Sequence, residues 1–380
     1  MGNQSKNEDG FGNQVMNCPL CQCENLERIY TARDFPVFQN KVYPSRRAAL
    51  KAKTANVFLM MCTRCDFIFN IEFDSRYMAY DSGYQNEQAH SPYFQTYLDE
   101  VIDLLIHAGF RNSKIIEIGC GKGYFFERLQ HKGFQVAGFD PAYEGDNPAI
   151  IKDYFSEKYA SLSGDLVILR HTLEHVQDPL HFLHNIAAAL EYKGKIFIEV
   201  PRVEWIIEKS AFWDFFYEHC NYFSIDNLSF LFQDAAKGPL FNGQYMYLLA
   251  DLSQLKKSIK PSLSKFSHRQ LTDQFQKKID CYKDFIISHQ GILVWGAGAK
   301  GATFVNLLDP GRKFISGVLD INPRKQLKYI ARTGHQVFSP EVLKNDLPKR
   351  EILVMNENYI EEISNIVSDT GDTLYTLGDL

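Results

Sequence analysis

Two Cys-x-x-Cys pairs, Cys18-Pro-Leu-Cys21 and Cys62-Thr-Arg-Cys65, carry the clearest chemical signal in the chain. Each such turn presents two thiolates to one tetrahedral metal, and two turns together make a closed four-thiolate zinc site. A redox role would call for a flanking βαβ pattern, which is missing here. Four thiolates leave no open position for a catalytic water, so Zn2+ at Cys18, Cys21, Cys62 and Cys65 is expected to be structural, stabilising a segment too small to fold on its core alone. The long interval between the pairs leaves residues 33–55 to form a loop or a short helix. Cys23, Cys120, Cys220 and Cys281 stand singly and read as core or surface residues.

A second constellation is Glu117-Ile-Gly119-Cys-Gly121-Lys-Gly123. It follows the β-branched run 114–118 and precedes a helical segment carrying Phe125, Phe126 and Leu129. The next strand, residues 135–139, ends in Asp140, where a carboxylate can accept from ribose hydroxyls. Glycine turns of this type are common for steric reasons alone. An acid directly before the loop, however, suits a cationic sulfonium and not a pyrophosphate. The unit is therefore read as a site for S-adenosylmethionine (SAM), with Glu117, Gly119, Gly121, Gly123, Asp140 and the turn at Arg170 and His171 as its contacts.

A third group, Tyr217-Glu218-His219-Cys-Asn-Tyr222, offers an imidazole base near neutral pH with a carboxylate beside it to orient it. Aromatic packing in a capped loop is the alternative for this stretch. His171 and His175 stand four residues apart and could form a metal pair, but with no third ligand nearby they read as structural or substrate-facing. Near the C-terminus, Gly296-Ala-Gly298-Ala-Lys300-Gly301 follows the strand 292–295, and Asp320 closes the next strand 19 residues after the last glycine. Taken alone this is a dinucleotide fingerprint.

The elements that must position these groups alternate in type. A helix with Tyr97, Val101, Leu104 and Leu105 on one stripe precedes the first glycine loop. Strands at 165–169 and 195–200, with a helix at 182–190 between them, continue a βαβα pattern that predicts a mostly parallel, doubly wound sheet. A Lys-rich segment places Leu271, Phe275, Ile279, Tyr282 and Ile286 on one helical face and reads as a bridging helix.

Size and composition set the outer bounds. At roughly 100–200 residues per domain, 380 residues leave room for two or three units. A formal charge of -5 supplies no basic footprint for nucleic acid. Residues 1–14 are polar, without an apolar leader, and no later run approaches the roughly 18 apolar residues of a membrane span. Lys6 stands where a myristoylation signal wants Ser or Thr. A cytoplasmic protein, with no nucleic-acid or membrane partner and a monomer slightly favoured, is the expectation.

In order along the chain, CxxC…CxxC, EIGCGKG, RHTLEHVQDP, EVPR, EHCNYFS and GAGAKG resemble the nucleotide-sugar C-methyltransferase family with an N-terminal zinc-binding domain. The resemblance runs from about Cys18 to about Ile363. It implies SAM-dependent methylation of a nucleoside-diphosphate-linked deoxy-ketosugar through an enolate, with His219 as base and Glu218 beside it. It also implies that the C-terminal glycine loop takes the substrate, with Gly296, Gly298, Lys300, Gly301 and Asp320 on the substrate side and Lys300 on the phosphates; His175, read from its position, is placed on the substrate side with them. NAD binding, or a degenerate unit that only packs, are the other readings of that loop. The chain departs from the family at several points. The family tyrosine falls on Phe216 and its first histidine on Tyr217, so Tyr217 or Tyr222 would have to supply a hydroxyl. A GGS-type strand is shortened around Phe241 and Gly243, and a Pro-Gly is replaced by Ala331-Arg332. O- or N-methylation of a sugar or small metabolite, or non-catalytic binding, are the rival functions.

The architecture expected is α/β: a class I SAM methyltransferase Rossmann-like core at 76–250, an N-terminal zinc-binding module at 14–75, and a C-terminal Rossmann-like nucleotide-sugar-binding domain with its bridging helices at 251–380.

Overall fold

A computed structural model describes residues 17–378 except 82, 161, 260–264 and 345–347. The polar start at 1–14 lies outside the described residues. Apolar β-branched segments separated by glycine turns form the central sheet of seven strands. Lys114–Ile118 lies at its middle, parallel to Gln135–Phe139 on one side and to Leu166–Arg170 on the other. Ile150–Ile151 extends the first side, and Lys195–Pro201 the second, both parallel. Tyr245–Asp251 then runs antiparallel to Lys195–Pro201, and Ala236–Leu240 antiparallel to it in turn. One reversed strand next to the edge of an otherwise parallel sheet is the class I methyltransferase topology. The strand order reverses between Lys114–Ile118 and Leu166–Arg170, and open α/β sheets bind ligands at the carboxyl ends of strands at such a point.

Pro92–His107 covers one face of this sheet. Ser91 caps it by accepting from the Phe94 N–H, Pro92 occupies the first turn, and Phe94, Tyr97, Leu98, Val101, Ile102 and Leu105 are buried. Helix Pro179–Ala189 starts at Asp178, whose side chain accepts from the His181 N–H.

A second parallel sheet of five strands is centred on Ile292–Trp295, flanked by Ile315–Leu319 and Glu351–Val354. It too has its switch point at a glycine loop. Gly301 opens the helix Ala299–Leu308 so close to the loop that a Cβ there would lie 1.8 Å from the Gly296 carbonyl oxygen. Gly301→Ala is therefore expected to force the helix off the loop, costing about 1–3 kcal/mol, read as a lower thermal midpoint.

Residues 33–55 hold the short helix expected between the cysteine pairs, Arg46–Ala49, while the segments on either side form a sheet not predicted from the sequence. Leu26–Pro36 pairs antiparallel with Thr54–Cys62, which pairs with Ile68–Asn70. Only the helix Arg46–Ala49 and the two-residue strand Val42–Tyr43 interrupt this sheet. The sheet gains a fourth strand from the middle of the chain, Asn221–Tyr222, and Val42–Tyr43 pairs with Tyr329–Ile330 of the C-terminal part. Helix His268–Ser288 buries Leu271, Phe275, Tyr282, Phe285 and Ile286 in a core that joins the N-terminal and C-terminal sheets. Among the described residues, no helix is long and apolar enough to cross a membrane.

Candidate active site

One cavity of about 370 Å3 lies where the two switch points face each other. Glu117, Gly119, Gly121, Arg170 and His171 line one end. Gly296, Gly298, Lys300, Gly301 and Asp320 line the other. His175, Phe216 and His219 stand on the wall between them.

At the first end the loop's shape depends on backbone conformations that side chains resist. Gly119 has φ +78°, and a Cβ on it would lie 2.3 Å from Thr172 Oγ1. Asp140 accepts from the Gly121 N–H and the Ala142 N–H, both at 2.8 Å, so its carboxylate braces the loop from behind the cavity wall. Gly123 is also off the wall: it caps the helix Tyr124–His131 in a left-handed conformation and packs against Tyr143 and Ile150. Glu117 is buried with Oε2 unpartnered among the described residues, and burial, opposed by Arg170, pushes it up to about 7. An orphaned acid beside an open glycine turn fits a ligand that brings both a cation and hydroxyl donors, as SAM does.

Arg170 is not free to hold a ligand carboxylate. Its guanidinium pairs with Glu199 at 2.6 Å and lies 4.2 Å from the centre of the Phe125 ring. Burial disfavours the ions, but Arg170 and His171 outweigh it at Glu199 and hold that carboxyl well below its ordinary range. His171 sits 2.9 Å from Glu199 and 3.5 Å from Glu174. Burial would lower it, but these carboxylates raise it to about 9, so it is cationic at neutral pH.

The segment carrying His219 is clasped at both ends. The Tyr222 hydroxyl accepts from the Phe216 N–H at 2.8 Å and donates to the Phe216 carbonyl at 3.1 Å. Asn221 Nδ2 donates to the Val176 carbonyl, and the Cys220 thiol to the Glu174 carbonyl at 3.4 Å. Tyr222 thus shapes the turn and faces away from the cavity. Tyr217 is also withdrawn, its hydroxyl donating to the Glu72 carbonyl and accepting from the Asp74 N–H. Neither tyrosine supplies the hydroxyl missing at Phe216. Glu218 does not orient His219 either: its carboxylate accepts from the Gln39 N–H at 2.7 Å and the Tyr84 hydroxyl at 2.5 Å. His219 instead packs against Phe216 and His175, with ring centres 4.7 and 4.8 Å away. Burial, reinforced by the nearby charges of His171 and Lys300, holds it well below the usual imidazole value, hence neutral.

At the second end, Lys300 is not turned toward a phosphate. Its ammonium pairs with buried Asp214 and lies 4.5 Å from the centre of the Trp205 ring. Asp320 accepts from the Ala297 and Asn322 N–H groups, both at 2.8 Å, and so holds the loop closed. The cation facing the loop is Lys325, buried at 5 % exposure and 3.6 Å from Asp320. A Cβ on Gly298 would lie 3.6 Å from Asn40 Oδ1 and 3.8 Å from Lys325 Nζ. Asn322, buried on the same wall, has its amide nitrogen unpartnered among the described residues. Sequence reasoning missed Asn40, Tyr84, Glu174, Asn322 and Lys325. The only signal for Lys325 was its place five residues after the acid that closes the second strand.

The four cysteine Sγ atoms of the two CxxC pairs lie within 4.8 Å of one another, away from the cavity. The shortest approaches cross between turns, Cys18 to Cys65 at 3.6 Å and Cys21 to Cys62 at 3.5 Å. These are too long for a disulfide. They are close to the edge, about 3.8 Å, of a tetrahedron with Zn–S bonds of 2.3 Å.

Comparison with known proteins agrees with this geometry. Residues 89–235 match a family described as a methyltransferase domain, and residues 262–373 one described as a C-methyltransferase C-terminal domain. C-methyltransferase NovU of Streptomyces niveus is 23% identical over 286 residues, 66% of this chain and 67% of that protein. A ubiquinone biosynthesis O-methyltransferase of Yersinia enterocolitica is 29% identical over 103 residues, which span 23% of this chain and 43% of that protein. Among solved structures, magnesium protoporphyrin IX methyltransferase of Synechocystis PCC 6803 with bound S-adenosylhomocysteine aligns over 41% of this chain and 82% of its own. It does so at 17% identity and a TM-score of 0.30. The chain is a SAM-dependent methyltransferase. Its C-terminal domain is of the kind found in C-methyltransferases.

Proposed function

We propose that the chain methylates a carbon of a nucleoside-diphosphate-linked deoxy-ketosugar next to its ketone. The observation that carries this reading is the single cavity bounded by two glycine loops, with a neutral imidazole between them. Glu117 and the backbone of Gly119 and Gly121 would hold SAM, with Asp140 bracing the loop. Bound there, SAM supplies a methyl already activated on a sulfonium. His219 accepts the proton from the carbon beside the ketone, and the resulting enolate carbon is the nucleophile. The cleft's contribution is to align that carbon and to exclude water. A C-methyltransferase among the relatives, and the domain match at 262–373, support carbon as the acceptor.

The diphosphate would lie against the start of helix Ala299–Leu308, with Lys325 and Asn322 as its side-chain partners. Lys300 instead ties the loop to Asp214. Lys325→Ala is expected to raise KM for the nucleotide-linked substrate about tenfold or more, the scale of a charge-assisted hydrogen bond, with kcat little changed. Initial-rate kinetics would check this, and an unchanged KM would remove Lys325 from the subsite.

Zn2+ at Cys18, Cys21, Cys62 and Cys65 completes the reading as a structural ion. The three units are taken as 14–75, 76–250 and 251–380, with Asn221–Tyr222 crossing into the first sheet. The enolate is tested by incubating protein, S-adenosylhomocysteine and the 4-keto sugar nucleotide in deuterium oxide. Exchange at the carbon beside the ketone, without methyl transfer, is expected. Its absence, or a product methylated on oxygen or nitrogen, would overturn the C-methylation.

A further inference from the structure

His175, Glu174 and His219 meet on the cleft wall, with one ligand atom from each lying within 4.8 Å of the other two. In the sequence, His171 and His175 do not read as a metal pair for want of a third ligand; the fold turns His171 to Glu199 and brings His219 beside His175 instead. Two further observations make this cluster a receptor for a cation. Glu174 is 1 % exposed, and neither carboxylate oxygen has a hydrogen-bond partner among the described residues, its nearest charge being His171 Nδ1 at 3.5 Å. A buried carboxylate so placed is poorly compensated, and a coordinated cation would compensate it. His175 Nδ1 lies 2.9 Å from the Glu218 carbonyl oxygen. That contact makes Nδ1 the donor and leaves Nε2 with its lone pair toward the cleft, the arrangement that orients metal-binding histidines.

We propose that Glu174, His175 and His219 form a transition-metal site in the substrate cleft. Two imidazoles and one carboxylate select first-row divalent ions such as Co2+, Ni2+ or Zn2+ over Mg2+ or Ca2+. Three protein ligands leave the remaining coordination positions open to the cleft. Metal binding rests on this geometry alone. Its consequence rests on the proton-accepting role proposed for His219: an ion there occupies the nitrogen lone pair, so free transition metal stops methyl transfer reversibly.

The test is a Co2+ titration of the full-length protein with its four-cysteine site already filled. One additional ion is expected, with weak visible bands of nitrogen and oxygen ligation and no thiolate charge-transfer band. Proton NMR of that form should show two strongly shifted, exchangeable imidazole N–H resonances. Glu174→Gln and His175→Gln should each weaken Co2+ about 10- to 100-fold, with circular dichroism reporting an intact fold. No additional ion, a spectrum without two imidazole N–H signals, or unchanged affinity in both variants would overturn the site. Ni2+ should also abolish methyl transfer, with recovery on adding chelator. If Co2+ binds as described and Ni2+ leaves turnover intact, the site stands and the assignment of His219 as proton acceptor falls.

Discussion

His219→Asn is expected to lower methyl transfer about 100- to 10,000-fold, the usual contribution of a positioned acid or base, while leaving S-adenosylhomocysteine binding within about twofold of the parent. Asparagine keeps a polar side chain of similar reach but has no lone pair basic enough to accept the proton. His219 suits the role because burial and its cationic neighbours keep it neutral, and because it stands on the wall between the two glycine loops. Two controls follow from the same geometry. Tyr217→Phe removes a hydroxyl engaged by Glu72 and Asp74 outside the cavity, so it should cost about 0.5–1.5 kcal/mol of stability and little turnover. The loss in His219→Asn should fall on the chemical step, so that deuterium exchange at the carbon beside the ketone drops with turnover. Exchange that persists at the parent rate would assign the proton to another group, with Tyr84 one hydroxyl-bearing candidate on the wall.

The parts of this fold that were legible in the sequence are those where a local pattern determines the structure. The run 114–118 before EIGCGKG, the strand ending at Asp140 and the stripe on helix His268–Ser288 each have a periodicity or a turn that admits one reading. The strand 165–169 was misplaced by one residue at its ends, because Arg170 continues the ladder through its pairing with Glu199. What the sequence could not convey is which polar groups neutralise one another across the chain. Lys300 follows the glycine loop as a phosphate-binding lysine would, and only the packing of Asp214 and Trp205 against it shows that its charge is engaged. Glu218 stands next to His219 in sequence, yet adjacent residues on an extended turn point apart, and its carboxylate faces Gln39 and Tyr84 instead. Glu174 reaches the site because the short helical turn Leu173–His175 directs it inward. No composition or spacing rule predicts that direction.

Removing one thiolate should have consequences well beyond the metal. Cys62→Ser leaves three ligands, and the expected result is loss of one equivalent of Zn2+ by metal analysis, with a fall in the thermal midpoint of the whole chain. Structural zinc in finger peptides supplies about 10–16 kcal/mol of apparent binding energy, more than the total stability of many domains. The N-terminal sheet depends on the cysteine cluster because Cys62 ends the strand Thr54–Cys62, and Cys18, Cys62 and Cys65 are themselves buried in the core beside Phe67. That sheet in turn positions the cleft. Asn221 and Tyr222 pair with Phe69 and Ile68, two and three residues after His219, and the Gln39 N–H fixes the Glu218 carboxylate directly before it. Loss of the ion should therefore lower turnover more than it lowers S-adenosylhomocysteine binding, because the loop proposed to hold the cofactor belongs to a separate sheet. Metal analysis, thermal denaturation and ligand titration on the same preparation separate these effects. A Cys62→Ser protein that keeps the parent midpoint and turnover would mean that the four thiols are packing groups and that the first sheet holds its shape without an ion.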